Sequence, residues 1–185
     1  VAATVLDARD LSRFSGLTGL RLGGAVTVEA RGSYETGTGA AQAGLTATTQ
    51  DLRAGPAGID PLLRGAGEVR AEFDQRPSGR IALSGLRASL PNISAQGNVD
   101  IGDDGLARAN LDIRLADVGL LAPDFSGPAT ARIEARQDAR GWQVSGSGTG
   151  PADTTGQAAG RVGNDGQLAL DLAGQAPLVL ANAFM

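Results

Sequence analysis

Short segments in which apolar and polar residues alternate strictly, separated by glycine-containing breaks about every ten to fifteen residues, constrain this chain more than any other feature. From Ala107 to Leu115 the odd positions are Ala107, Ala109, Leu111, Ile113 and Leu115, and the even ones are Arg108, Asn110, Asp112 and Arg114. A period of two sends successive side chains to opposite faces of a strand, so such a segment is a β-strand with one apolar face. Pro128–Arg136 and Gly67–Asp74 repeat the pattern, with Ala129, Ala131, Ile133 and Ala135 in the first and Val69, Ala71 and Phe73 in the second. What the apolar face touches is therefore the functional question.

Alternation and turn residues predict strands near 24–32, 40–49, 67–74, 79–87, 92–101, 106–115, 128–137, 141–148, 154–162 and 166–174. The connections carry hairpin chemistry. Asp103-Asp104-Gly105 and Asn164-Asp165-Gly166 contain Asp-Gly pairs that tolerate positive φ, and Pro77-Ser78-Gly79 and Asp138-Ala139-Arg140-Gly141 read as short reversals, so neighbouring strands should be antiparallel. Three longer connectors, Asp7–Leu20, Asp51–Leu63 and Leu115–Phe125, break the rhythm, and Phe14-Ser15-Gly16 recurs as Phe125-Ser126-Gly127. They read as one supersecondary unit used three times, a short turn or helical loop in which Pro61 and Pro123 forbid a long helix. The closing tract Pro177–Met185 resembles the opening of a fourth connector, and the chain starts at Val1 without methionine, so a single repeat-built segment of a longer protein is expected.

Composition removes most chemistries. With no cysteine and no histidine there is no disulfide, thiolate nucleophile or imidazole base, and without lysine the serines lack an ordinary activating group. The carboxylates do not cluster: Asp103 and Asp104 flank a turn glycine, and Asp51, Asp60 and Asp124 lie in connectors, where turn formation accounts for them. Gly146–Gly150 resembles a phosphate-cradling loop only in glycine content, because no Lys-Ser/Thr follows. No enzyme, metal site or cofactor is expected. All sixteen basic residues are arginine, spread along a chain of net charge −4, which argues against nucleic-acid binding. Four Phe, one Trp and one Tyr make a thin core at most; Trp142, on the parity of Val144, reads as an anchor within it.

Four stretches together resemble the C-terminal periplasmic part of the TamB family, of alphaproteobacterial type. They are Ser15–Leu20 leading to Gly24-Ala25-Val26; Thr48–Leu52 followed by Ile59–Leu63; Leu115–Leu120; and Ala176–Asn182. The resemblance covers nearly the whole chain and rests on repeat signatures, none of them catalytic. It implies an all-β fold, a curved antiparallel sheet of stacked repeats (a β-taco) with an apolar groove. It also implies a periplasmic location in a Gram-negative bacterium, with the full-length protein anchored in the inner membrane. TamB-like proteins are similar to AsmA-like lipid transfer proteins and are implicated in moving phospholipid between membranes. They also assist outer-membrane β-barrel assembly with a TamA-like barrel partner, whose contacts would lie outside this chain.

Ten strands ~4.8 Å apart make a sheet roughly 45–50 Å long, too large an apolar face to stand bare in water. Either the sheet bends until its own faces meet as a sandwich or barrel, or it leaves a trough for acyl chains or nascent barrel strands. The residues expected to line such a trough are Val26, Val28, Val69, Phe73, Ile81, Leu83, Ile93, Val99, Ile101, Leu111, Ile113, Leu115, Ile133, Val144, Leu168, Leu170 and Leu172. A second reading stays open: a secreted or surface β-solenoid, an adhesin or passenger segment, with a closed dry interior. Irregular connector spacing and hairpin turns count against parallel rungs.

Overall fold

Every strand among the described residues belongs to one antiparallel sheet laid down in sequence order. The computed structural model describes residues 2–8, 22–54, 59–163 and 167–175. The strands are β1 (Ala2–Ala8), β2 (Leu22–Glu35), β3 (Ala40–Ala54), β4 (Ala66–Gln75), β5 (Ile81–Ser89), β6 (Ile93–Ile101), β7 (Ala107–Leu115), β8 (Ala129–Asp138), β9 (Gly141–Thr149), β10 (Thr155–Gly163) and β11 (Leu168–Gln175). They form an eleven-stranded sheet in the order β1 to β11. The meander follows from the short connections, which can join only antiparallel neighbours. In the β6–β7 turn, Gly105 at φ +73 reverses the chain and Leu106 N–H donates to Asp104 Oδ1 at 3.0 Å, so Asp104 is a turn-former as its sequence context suggests.

Two features depart from the sequence reading. The described strands number eleven rather than ten, because β1 lacks alternation: Ala3 and Val5 on one parity are matched by Ala2, Leu6 and Ala8 on the other. β3 runs on to Ala54 through Asp51, where the sequence predicts the start of a connector. Asp51 instead occupies a bulge at φ +48, where one residue of β2 faces two of β3 between Gly23 and Ala25. The first connector with Phe14-Ser15-Gly16, the Asn164–Gly166 turn, the closing tract from Ala176, and the side chain of Leu168 lie outside the described residues.

The two described connectors sit at the same end of the sheet, as odd-to-even connections in a meander must. The first contains a one-turn helix, α1 (Asp60–Leu63), the second a single 3-10 turn over Val118–Leu120. α1 packs on β3, and Leu62 is one of two buried apolar residues among those described, at 5% exposure. A chain of polar contacts ties this end together. Asn92 Nδ2 donates to the Pro61 carbonyl at 3.0 Å, and Ala116 N–H donates to the Asn92 carbonyl at 2.9 Å. Gly127 approaches the Pro151 ring of the β9–β10 turn.

Among the described residues no strand packs substantially against any but its sequence neighbours, so neither a sandwich nor a barrel forms. Among the described residues the buried apolar side chains are Leu62 and Ala107, and none is fully enclosed. Trp142, expected as a core anchor, is half-buried on the sheet opposite Gln137 and Val162. The chain exposes 12248 Å². A compact protein of this mass would expose about 8,200 Å².

Candidate functional site

The pairing register carries the apolar parity across the sheet without a break. Val28 stands opposite Ala47, Ala47 opposite Val69, and Val69 opposite Ala88. Farther on, Ala95, Ile113, Ala131 and Gly148 follow one another across β6 to β9, as do Gly97, Leu111, Ile133 and Gly146. Ile81 faces Ile101, Leu83 faces Val99, Phe73 faces Leu83, and Ile93 faces Leu115. Val144 leads through Gly160 to Leu170, Ala158 pairs with Leu172, and Val162 pairs with Leu168. Val26 faces Thr49. All the residues singled out from the sequence therefore share one face by register.

Keeping this parity requires a correction inside β5. Ile81 and Leu83 are odd, Leu86 and Ala88 even, and the switch occurs at a bulge where Arg70 pairs with Arg87 but Glu72 pairs with Ser84. Gly85 supplies the extra residue at φ +59, and its N–H donates to Asn98 Oδ1 at 3.0 Å. Burial follows the switch, since Leu86 and Ala88 are half-buried and Ser84, Arg87 and Ser89 exposed. Leu86 and Ala88 were missed in the sequence reading. Their signal was the break in alternation at Ser84-Gly85.

Side chains on this face are mostly half-buried although no second layer lies over them among the described residues. Tyr34, Leu170 and Leu172 are more open, with Leu172 at 76% exposure. At the connector end Thr49, 6% exposed, places a hydroxyl without a protein partner under the edge of the face. Gly67 lets that hydroxyl and Leu90 approach, because a side chain there would meet Thr49 Oγ1 at 2.7 Å and Leu90 Cγ at 2.7 Å.

The opposite face is polar, and ion pairs organise much of it. Arg132 pairs with Asp112 directly across β7 and β8 at 2.8 Å, and Arg80 with Asp100. Arg161 reaches over β9 to grip Asp138 through both terminal guanidinium nitrogens, at 2.8 and 2.7 Å. That grip, with the Arg140 N–H, holds the Asp138 carboxyl well below the usual carboxylate range and raises Arg161 in turn. In the second connector Asp117 Oδ1 accepts the Gly127 N–H at 2.7 Å and the Gly119 N–H at 2.8 Å, which lowers its titration. Asp51 is lowered by its bonds from the Gln50 amide and the Gly65 N–H.

No protein-family model, curated protein or solved structure matches this chain. The function must be argued from the sheet itself. Among the described residues no group of acidic side chains gathers as metal ligands would. Among the described residues no helix is long and apolar enough to cross a membrane.

Proposed function

We propose that this chain is a non-enzymatic, periplasmic segment of a TamB-like protein whose apolar sheet face shelters phospholipid acyl chains passing between inner and outer membranes. The observation that carries the reading is an apolar face matched strand by strand through the register, with no covering layer among the described residues. Acyl chains suit such a surface. Burying a CH₂ gives ~0.8 kcal/mol without directional demand, so a chain is held and can still slide along Ala, Val, Leu and Ile.

Curvature toward the apolar face, which would turn it into a trough, is supported by backbone devices that bend sheets. These are the bulges at Asp51 and Gly85 and the glycines on the apolar parity at which a side chain would overlap the neighbouring strand. At Gly97 the obstacle is the Asn110 carbonyl, and at Gly160 the Ala169 carbonyl. Half-burial of a face over which no described element lies fits the same bend, because concavity crowds side chains against one another. An inner-membrane anchor and a TamA-like barrel partner would belong to parts of the protein beyond this segment.

The test is photocrosslinking in cells, with a crosslinker at Ile113 and a control at Asn110 on the opposite parity of the same strand, followed by phosphate labelling of the purified protein. A lipid adduct at Ile113 and none at Asn110 is expected. Absence of adduct at both positions in the folded protein overturns the reading.

A further inference from the structure

We propose that the polar face carries a second binding surface, a furrow across β5 to β10 that takes an acidic polysaccharide with its carboxylates on Arg87 and Arg114. The furrow is about 820 Å³ and is lined from six consecutive strands, Arg87 at one end and Gln157 at the other. Its long axis crosses the strands, and five steps of ~4.8 Å give it a length of about 24 Å.

The register explains its chemistry. One wall is a row of hydroxyls, in which Ser89 faces Ser94, Thr130 faces Thr149, and Thr149 faces Thr155, with Arg114 between Ser94 and Thr130. The other wall runs Arg87, Gln96, Asp112, Arg132, Ser147 and Gln157 in the same manner. Of the three arginines, Arg132 is neutralised by Asp112 at 2.8 Å. Arg87 and Arg114 make no ion pair or hydrogen bond among the described residues. Arg87 also stands directly opposite Arg70, whose charge Glu68 takes up at 2.6 Å, so that within this cross-strand pair Arg87 is the guanidinium with no carboxylate on it among the described residues. In a chain of net charge −4, this is a local surplus of two positive charges, three arginines against one aspartate.

Hydroxyl and amide rows beside planar guanidinium forks fit a ligand rich in hydroxyls and carrying carboxylates. A pyranose ring is about as long as one strand step of ~4.8 Å, so successive sugars of an extended glycan meet successive strands in equivalent positions. The furrow has no aromatic side chain on which bases could stack, which argues against a single-stranded nucleic acid.

The experiment is calorimetric titration of the protein with an octamer of galacturonic acid, its fully methyl-esterified form, polyglutamate, and vesicles of phosphatidylglycerol. Saturable binding of the acid octamer alone is expected, weakened at least about tenfold by Arg87→Gln or Arg114→Gln, the loss of one charge-assisted contact. Arg140→Gln, in the β8–β9 turn away from the furrow, should leave it unchanged. No binding of the octamer overturns the proposal, as does binding that both arginine variants retain. Equal affinity for polyglutamate would assign the furrow to anionic chains in general, and binding of vesicles in place of the octamer would assign it to a membrane surface; both outcomes also overturn it. Far-UV circular dichroism and the thermal midpoint report whether each variant is folded. None of these outcomes bears on the apolar face.

Discussion

Gly156 and Gly160 stand on the same strand and the same face, and an added methyl group meets different surroundings at each. At Gly160 it would overlap the Ala169 carbonyl oxygen and come within 2.8 Å of Leu170 Cα, whereas at Gly156 the nearest atom is the Ala173 carbonyl oxygen at 3.9 Å. Backbone cannot yield as a flexible side chain does, so Gly160→Ala should destabilise by ~1–3 kcal/mol. Gly156→Ala should stay within about 0.5 kcal/mol of the parent, as substitutions at open positions do. Urea denaturation midpoints of the two variants check this, and equal midpoints would show that the Gly160 backbone relaxes freely. Gly85 offers the complementary case, since nothing lies within 4 Å of an added side chain and only its φ of +59 is demanding. Asn tolerates that conformation and a β-branched residue does not. Gly85→Val should therefore lose ~1–3 kcal/mol, and Gly85→Asn appreciably less. The same denaturation series separates them.

At the scale of elements, the strands with clean alternation were legible and the places where alternation fails were not. β7 and β8 could be read residue by residue because Arg, Asn, Asp, Glu and Thr fill every outward position between apolar ones. β5 is different: its apolar parity changes at Ser84-Gly85, and a bulge and a strand end look alike to a period-two reading. Asp51 misled for the same reason, being a turn-former that the structure uses inside a strand. The second connector shows what holds such elements in place. Asp117 accepts two backbone N–H groups, of Gly119 and Gly127, and so closes the loop between its two ends. Asp117→Ala should lower the thermal midpoint at neutral pH. Because the carboxyl titrates lower in the folded protein than in the unfolded chain, its contribution is present above about pH 4, the ordinary carboxylate value, and fades as pH falls further. The midpoints of parent and variant should therefore converge in acid. A gap that stays constant down to pH 2 would show that the carboxylate charge plays no part.

For the whole molecule, the decisive property is a sheet of eleven strands with scarcely any enclosed core. The sequence already implied a large apolar face, but the choice between closing on itself and staying open depends on strand bending, which alternation does not encode. Cooperativity in such a fold passes from each strand to the next, as in repeat proteins, and not through a shared interior. Several carboxylates depressed in the folded state, Asp51, Asp117 and Asp138, act together on it, so stability should fall steeply once pH drops below about 4. An open apolar face also makes stability sensitive to what lies on it. A ligand that binds the folded sheet and not the unfolded chain adds stability by mass action, ~2.7 kcal/mol at a hundredfold excess over its dissociation constant, and raises the thermal midpoint accordingly. Lysophospholipid below its critical micelle concentration should therefore raise the midpoint of this protein in proportion to the logarithm of its concentration. Ile113→Asp should abolish most of that rise by placing an unpaired charge on the face, while Asn110→Asp, on the other side of the same strand, should leave it intact. A midpoint that does not respond to lysophospholipid, or a response that both variants keep, would mean that the apolar face is not where acyl chains bind.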